Sequence, residues 1–332
     1  MATATDPDIR TMLRRAALFA GRAPSIHNSQ PWRWRVLDQA LDLFLARSRV
    51  LRSTDPEARL ALLSCGTALH HARVYLAANG CRAVVRRLPV RTDPDHLARV
   101  TVDRRIPVDP AAVRLEAAAL LRQTDRRTRP ALPLDIDTLR TVGLAVRREG
   151  CLLTRITGRQ VYELATAVDL ARRTVAADAG KQTELTDWVG GDQPFGTGVP
   201  AASMARNRVG AGAGEHDLGR PGSDLIADTH HRAAAFAILH GSGNESRDWL
   251  GAGEALSAAW LTATQIGVSV LPLSAVIEVA AGRPAIRRLI GGSGHPYLVL
   301  RFAAVDTTLE RPPFTPRLPG TTTVEGLDQA DP

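Results

Sequence analysis

Lysine is nearly missing from this chain: Lys181 is the only one in 332 residues, although lysine and arginine together number 42 against 34 acidic residues. The formal charge of +8 therefore rests on arginines, which are scattered through amphipathic stretches beside aspartates and glutamates. No compact basic patch with interleaved aromatics occurs, so nucleic acid is not the expected partner. Cysteine is also scarce. Cys65, Cys81 and Cys151 are odd in number, far apart and without a CxxC spacing, which argues against a disulfide framework and a zinc site. No apolar run approaches the roughly 18 residues of a membrane span, and the N-terminus lacks a signal-like apolar block. The expectation is a cytoplasmic protein that does not engage a membrane. Two catalytic signatures are missing as well: neither a Gly-x-Gly-x-x-Gly dinucleotide loop nor a Gly-x-Ser-x-Gly elbow occurs.

What the chain does have is periodicity. Asp6-Pro7 reads as a cap and first turn, after which Ile9, Leu13, Ala16, Ala17 and Ala20 share a helical face up to Gly21. Alternation over Trp32 to Leu37 and Leu41 to Ala46 predicts a hairpin. A helix is expected from Asp55-Pro56 to Gly80, and strands at Ala83 to Val85 and His96 to Val102. Prolines around Ile106 to Pro110 mark a boundary between a first unit, 1–110, and a second, 111–332. The second unit reads as helices over Ala111 to Leu121, from Asp135 towards Gly150, from Gln160 to about Asp178 and from Gly253 to Ile266. Its strands are expected at Cys151 to Ile156, Ala234 to Leu239 and Tyr297 to Phe302. Between Gly190 and Asp224 the pattern dissolves into glycine, proline and small polar residues, far longer than an ordinary connection and suited to a lid or a disordered segment. The proline-rich tail around Pro313 to Leu318 reads as an extended arm.

The two units also resemble each other. Gly66, Ala68, Leu69, Ala72 and Gly80 match Gly253, Ala255, Leu256, Ala259 and Gly267 at one constant offset. Each of these helices is followed by a short apolar strand, and each unit ends in an alternating strand. A period this long suggests a fused dimer, not a solenoid.

The stretch Ala23-Pro24-Ser25-Ile26-His27-Asn28-Ser29-Gln30-Pro31-Trp32 joins the first helix to the first strand. Its composition alone fits an ordinary turn. Its spaced pattern Ala-Pro-Ser-x-x-Asn-x-Gln-Pro-Trp, however, resembles the flavin-contacting loop of the nitroreductase family, and other pieces follow. Arg122, Thr124 and Arg126 resemble the family's phosphate-holding Arg-x-Ser/Thr-x-Arg motif. Leu271-Pro272-Leu273-Ser274-Ala275 is similar to the strand-end segment that presents backbone to the flavin ring, and Thr315-Pro316-Arg317-Leu318 to a C-terminal arm that keeps only its arginine.

The resemblance implies an α+β nitroreductase fold in which two tandem half-units form an intramolecular pseudo-dimer, with mixed or antiparallel sheets flanked by helices, like the actinobacterial Acg-like branch. It implies one FMN per chain, since the first unit lacks the arginines and the second has Gly143 to Arg148 where another Pro-Ser-x-x-Asn loop should stand. The cofactor-binding set implied is Pro24, Ser25, Asn28, Gln30, Arg122, Thr124, Arg126, Pro272, Leu273, Ser274, Ala275 and Arg317. NADH or NADPH would be the donor and a nitroaromatic, quinone or similar small molecule the acceptor, and no side chain need act as nucleophile or general acid because the flavin carries the chemistry. A fused pseudo-dimer needs no second chain, so a monomer is expected. The rival is a flavin-storing or stress-response protein whose 190–224 segment plugs the site. His70-His71 and His230-His231 are adjacent pairs, which do not share a helix face as i, i+4 metal ligands would. Trp188, Phe195 and Met204 could cap a pocket from the central segment.

Overall fold

The structure, a computed structural model, describes residues 8–124, 126, 134–135, 137–191, 193–203, 234–305 and 314–326. Helix α1 (Ile9–Ala20) buries Met12, Leu13, Ala16, Ala17 and Ala20 on one face. Its cap is Asp8, whose carboxylate accepts from Thr11 N at 2.6 Å; the Asp6-Pro7 cap expected from sequence lies outside the described residues. The expected hairpin follows as β1 (Trp32–Val36) and β2 (Ala40–Leu45).

Helix α2 (Arg59–Ala78) starts later than Asp55-Pro56 because Ala58, at φ 55°, breaks the helical path. Asp55 still serves the helix from outside it, accepting from Ala61 N at 2.8 Å. Strands β3 (Cys81–Arg87) and β4 (His96–Arg105) run past their apolar cores. They pair with each other as far as Cys81 and Arg105, since ladder hydrogen bonds do not require buried side chains.

Beyond the boundary come α3 (Pro110–Leu121), capped by Asp109, α4 (Thr138–Arg148), β5 (Leu152–Ile156), α5 (Arg159–Ala176) and α6 (Ala179–Trp188). Then follow β6 (Ala234–Gly241) and α7 (Ser246–Gln265). Helix α7 begins well before Gly253: Glu245 and Asp248 form a reciprocal capping box, a polar signal that apolar periodicity does not register. Next are β7 (Val268–Leu273), the single turn α8 (Ala275–Glu278), α9 (Gly282–Leu289), β8 (His295–Ala304), α10 (Gly320–Thr323) and β9 (Val324–Glu325). Sequence periodicity had not separated α6 or α9 from their neighbours.

One sheet has the order β3-β4-β2-β1-β9 and the other β5-β6-β8-β7. Every pairing is antiparallel except that of β1 with β9, so the architecture is the expected α+β. The described part of the tail arm, 314–319, carries neither helix nor strand, and beyond it β9 closes one edge of the sheet by pairing with β1.

Helices α2 and α7 lie between the sheets, each packed on its own sheet and on the other helix. They meet at Gly66 and Gly253, where a Cβ on either residue would collide with the backbone carbonyl of Leu250 or Leu63. Glycine is required here by contact, not by dihedral angle. The main apolar cluster runs from α1 through both helices into both sheets, with smaller ones beside α3 and at Leu185, Val189 and Val199.

Candidate functional site

The loop after α1 is held in a conformation that side-chain-bearing residues avoid. His27, Asn28 and Gln30 all have positive φ, at 42°, 57° and 48°, each costing about 1–2 kcal/mol. A dense set of bonds offsets this. Ser25 Oγ accepts from Gln30 N at 3.0 Å, Ser64 Oγ from Ile26 N at 3.1 Å, and Thr67 Oγ1 donates to Pro24 O at 2.6 Å. Arg49 Nε donates to Gln30 O at 2.8 Å.

The two buried amides of the loop tie distant segments to it. Asn28 Nδ2 donates to Gly196 O, Gly198 O and Pro316 O at 2.9–3.1 Å, and its Oδ1 accepts from Arg317 Nη1 at 2.9 Å. Gln30 Nε2 donates to Gly196 O at 2.6 Å while its Oε1 accepts from Leu318 N at 3.1 Å. The start of the glycine-rich segment and the C-terminal arm are thus clamped to one loop. Arg317 is packed, and Val189 pairs with Val199 across the base of the segment. Met204 and the rest of the segment to Asp224, and the His230-His231 pair, lie outside the described residues.

These pieces enclose a cavity of about 250 Å³. At one end stand Arg122, Arg126 and Arg317. Thr124, between the first two, bridges to Val270 of β7, which sets the arginine loop beside that strand. None of the three guanidiniums has a carboxylate partner among the described residues. Arg122 stacks on Trp260 of α7, 4.7 Å from the ring centroid, an attraction that leaves its charge unneutralised. Burial, then Arg317 and Arg126, pull Arg122 down to about 9. Burial brings Arg126 to about 10, and burial with Arg126 and Arg22 brings Arg317 to about 10. The Nε atoms of Arg122 and Arg317 are sealed without a partner, as is His27 Nε2. Burial, with Arg126 beside it, takes His27 down to about 4, so the ring is neutral at pH 7. Buried donors of one sign without acceptors are the complement of a multiply charged anion, and guanidinium forks suit phosphate oxygens.

The other end is apolar, lined by Leu185, Val168 and Leu273, with Ser274, Ala275 and Glu278 at the end of β7. Pro272 fits there because β7 is an edge strand, where a missing N–H breaks no sheet. All the residues expected from sequence line the cavity except Gln30, which acts behind it as a clamp. Sequence reasoning missed Trp260 and Glu278 and set His27 aside as a variable position. Their only signal was a buried-type residue on a helix or turn. His70 and His71 are core residues: His70 Nδ1 meets Ser257 Oγ at 2.8 Å and His71 Nδ1 meets Thr67 O at 2.9 Å. Among the described residues no group of acidic, histidine or cysteine side chains could hold a metal ion, and no helix is long and apolar enough to cross a membrane.

Fold and site together define an α+β protein with a cavity that Arg122, Arg126 and Arg317 line with guanidinium groups. The chain belongs to the NAD(P)H nitroreductase family. It is similar to two Mycobacterium tuberculosis proteins named "Putative NAD(P)H nitroreductase": Rv3131, at 37% identity over 94% of this chain and 90% of that one, and acg, at 35% over 93% of each. No profile of a described protein family matches it. Among solved structures, the FMN-dependent nitroreductase NfnB from Mycobacterium smegmatis, in complex with NADPH, aligns at 17% identity and a TM-score of 0.37 over 61% of this chain and 94% of that one.

Proposed function

We propose that the chain is an FMN-dependent oxidoreductase that takes a hydride from NADH or NADPH and passes it through one bound FMN to a nitroaromatic, quinone or similar acceptor. The observation that carries this is the trio Arg122, Arg126 and Arg317, one buried and two half-buried at one end of a cavity, with no carboxylate to neutralise it among the described residues. A flavin phosphate fits that end, supplying acceptors for the unpartnered Nε atoms and for His27 once a proton stands on its Nε2. Thr124 adds a hydroxyl donor. The end of β7, with Leu273, Ser274 and Ala275, presents backbone to the ring. Pro24, Ser25 and Asn28 close the side formed by the strained loop, and Val189 and Val199 exclude water. When bound, FMN supplies the two-electron chemistry; the protein supplies position, electrostatics and a dry site.

On this reading the loop of unit 1–110 and the arginines of unit 111–332 make one site per chain. The constant offset between α2 and α7, and their mutual contact at Gly66 and Gly253, favour an intramolecular pseudo-dimer that works as a monomer. A second reading, flavin storage in a stress response, draws on a different observation: Asn28 and Gln30 pin Gly196 and Gly198 against the site, where the segment could act as a plug.

Purified protein loaded with FMN and mixed anaerobically with NADPH separates the two. Bleaching of the yellow colour supports the oxidoreductase. A yellow protein that does not bleach removes it and leaves storage, and a protein that takes up no FMN removes both.

A further inference from the structure

Three carboxyl groups gather around the apolar end of the cavity, and they are not equivalent. Asp55 accepts from Ala61 N at 2.8 Å, and Glu184 accepts from Thr54 N at 2.7 Å and Ser53 N at 3.1 Å. Backbone donors thus meet a charge on either, although burial outweighs them at Asp55 and raises it to about 6. Glu278 lines the cavity with the Ser274 hydroxyl bonded to its carboxyl group, yet its Oε1 is sealed and meets no donor among the described residues. A carboxylate oxygen buried without a donor favours the neutral acid.

We propose that Glu278 is the proton donor of this site, delivering its proton to an oxygen of the acceptor as the hydride arrives; the proposal rests on the oxidoreductase reading above. A hydride adds one proton and two electrons, so a quinone needs one further proton to become the hydroquinone. The O–H bond of Glu278 breaks, the O–H bond of the acceptor forms, and the carboxylate left behind regains its proton from water. The electrons come from NAD(P)H under the parent reading, so no other reductant is needed.

The surroundings tune the group for this work. Burial raises Glu278 to about 7, with the Ser274 hydroxyl opposing, Asp55 adding, Lys181 of α6 opposing and Glu184 of α6 adding. Lys181 is itself drawn to Asp178 at 3.5 Å. From α9, Arg283 is committed elsewhere, donating to Ile277 O at 2.7 Å and to Glu57 at 3.2 Å. An acid half-ionised near neutrality both gives and regains a proton readily.

The test uses FMN-loaded protein reduced anaerobically with NADPH and then mixed with benzoquinone across pH 5 to 9. Wild-type reoxidation is expected to slow as pH rises through about 7 and to slow in deuterium oxide. Glu278→Gln should reoxidise at least about tenfold more slowly and without that pH dependence, while its flavin content and its rate of reduction by NADPH stay unchanged. Glu278→Asp, which keeps an acid, should recover part of the rate and the pH dependence. Independently of turnover, the infrared difference between wild type and Glu278→Gln should show a protonated carboxyl that titrates near pH 7. Reoxidation of Glu278→Gln at the wild-type rate and pH dependence, or no such carboxyl above pH 5, overturns the proposal. A wild type that takes up no FMN, or is not reduced, overturns the parent reading with it, and is told apart because reoxidation is never reached.

Discussion

Two groups of largely half-buried arginines flank the paired central helices, and they are finished in opposite ways. Arg73 and Arg87 close on Glu254, with Arg87 Nε 2.6 Å from Oε1 and Nη2 2.9 Å from Oε2, and Glu149 meets Arg73 at 2.7 Å. Burial alone would lower Arg73, but Glu254 and Glu149 outweigh it and its pKa is raised. Arg122, Arg126 and Arg317 have no such acid among the described residues and are all lowered. A carboxylate at one cluster and not at the other is the difference that matters. One cluster is complete within the described residues, and the other holds charge that none of them compensates. On the proposed function, the FMN phosphate brings the opposite charge.

The largest effect is expected from breaking the complete cluster. Glu254→Gln leaves Arg73 and Arg87 without their shared carboxylate in a site that is 0% exposed at Glu254, and should cost about 3–5 kcal/mol of stability in urea denaturation. Flavin uptake by the folded fraction should survive. Arg122→Ala should do the reverse. It removes an uncompensated charge, so the apoprotein should be no less stable, while FMN affinity measured by fluorescence titration falls by roughly 10- to 100-fold, as expected for lost charge-assisted bonds. Equal losses of apoprotein stability in the two variants would break the contrast.

Asn28→Ala comes next. It releases Gly196, Gly198 and Arg317 together and should weaken FMN by about tenfold, with faster proteolytic nicking after Gly190.

The smallest effect is a sharpening by pH. His27, in the unpaired cluster, is lowered to about 4 by burial and Arg126. Near the paired cluster, burial and Arg73 lower His70 to about 3. A lowered histidine contributes stability that is intact above the unfolded value near 6.5 and is lost as pH falls towards the folded value. The apoprotein's melting temperature should therefore drop below pH 6.5. Bound FMN should flatten the part due to His27, because a phosphate beside the ring raises its pKa, and should leave the part due to His70. An acid limb unaltered by FMN would place the phosphate away from His27.

Much of this was readable along the chain. The hairpin after Trp32, the Gly66 and Gly253 helices and the alternating closing strands follow from side-chain period alone, because burial on one face imposes it. Helix starts were less legible. Asp55 looks like a cap yet works from a loop, and α7 is opened by Glu245 and Asp248, whose signal is reciprocal hydrogen bonding and not hydropathy. The loop at Ala23 to Trp32 and the three arginines stood out only by resemblance to nitroreductase motifs, and the structure brings both to one cavity.

Sequence by itself therefore determined most of the helices and strands, since these depend on local spacing, and family resemblance supplied the α+β class and the candidate cofactor motifs. Only the tertiary structure decided which arginines lack an acid among the described residues, that Gln30 clamps from behind and that one oxygen of Glu278 meets no donor there. Those properties belong to distances between residues far apart in the chain, and a charge becomes costly or useful only once its surroundings have excluded water.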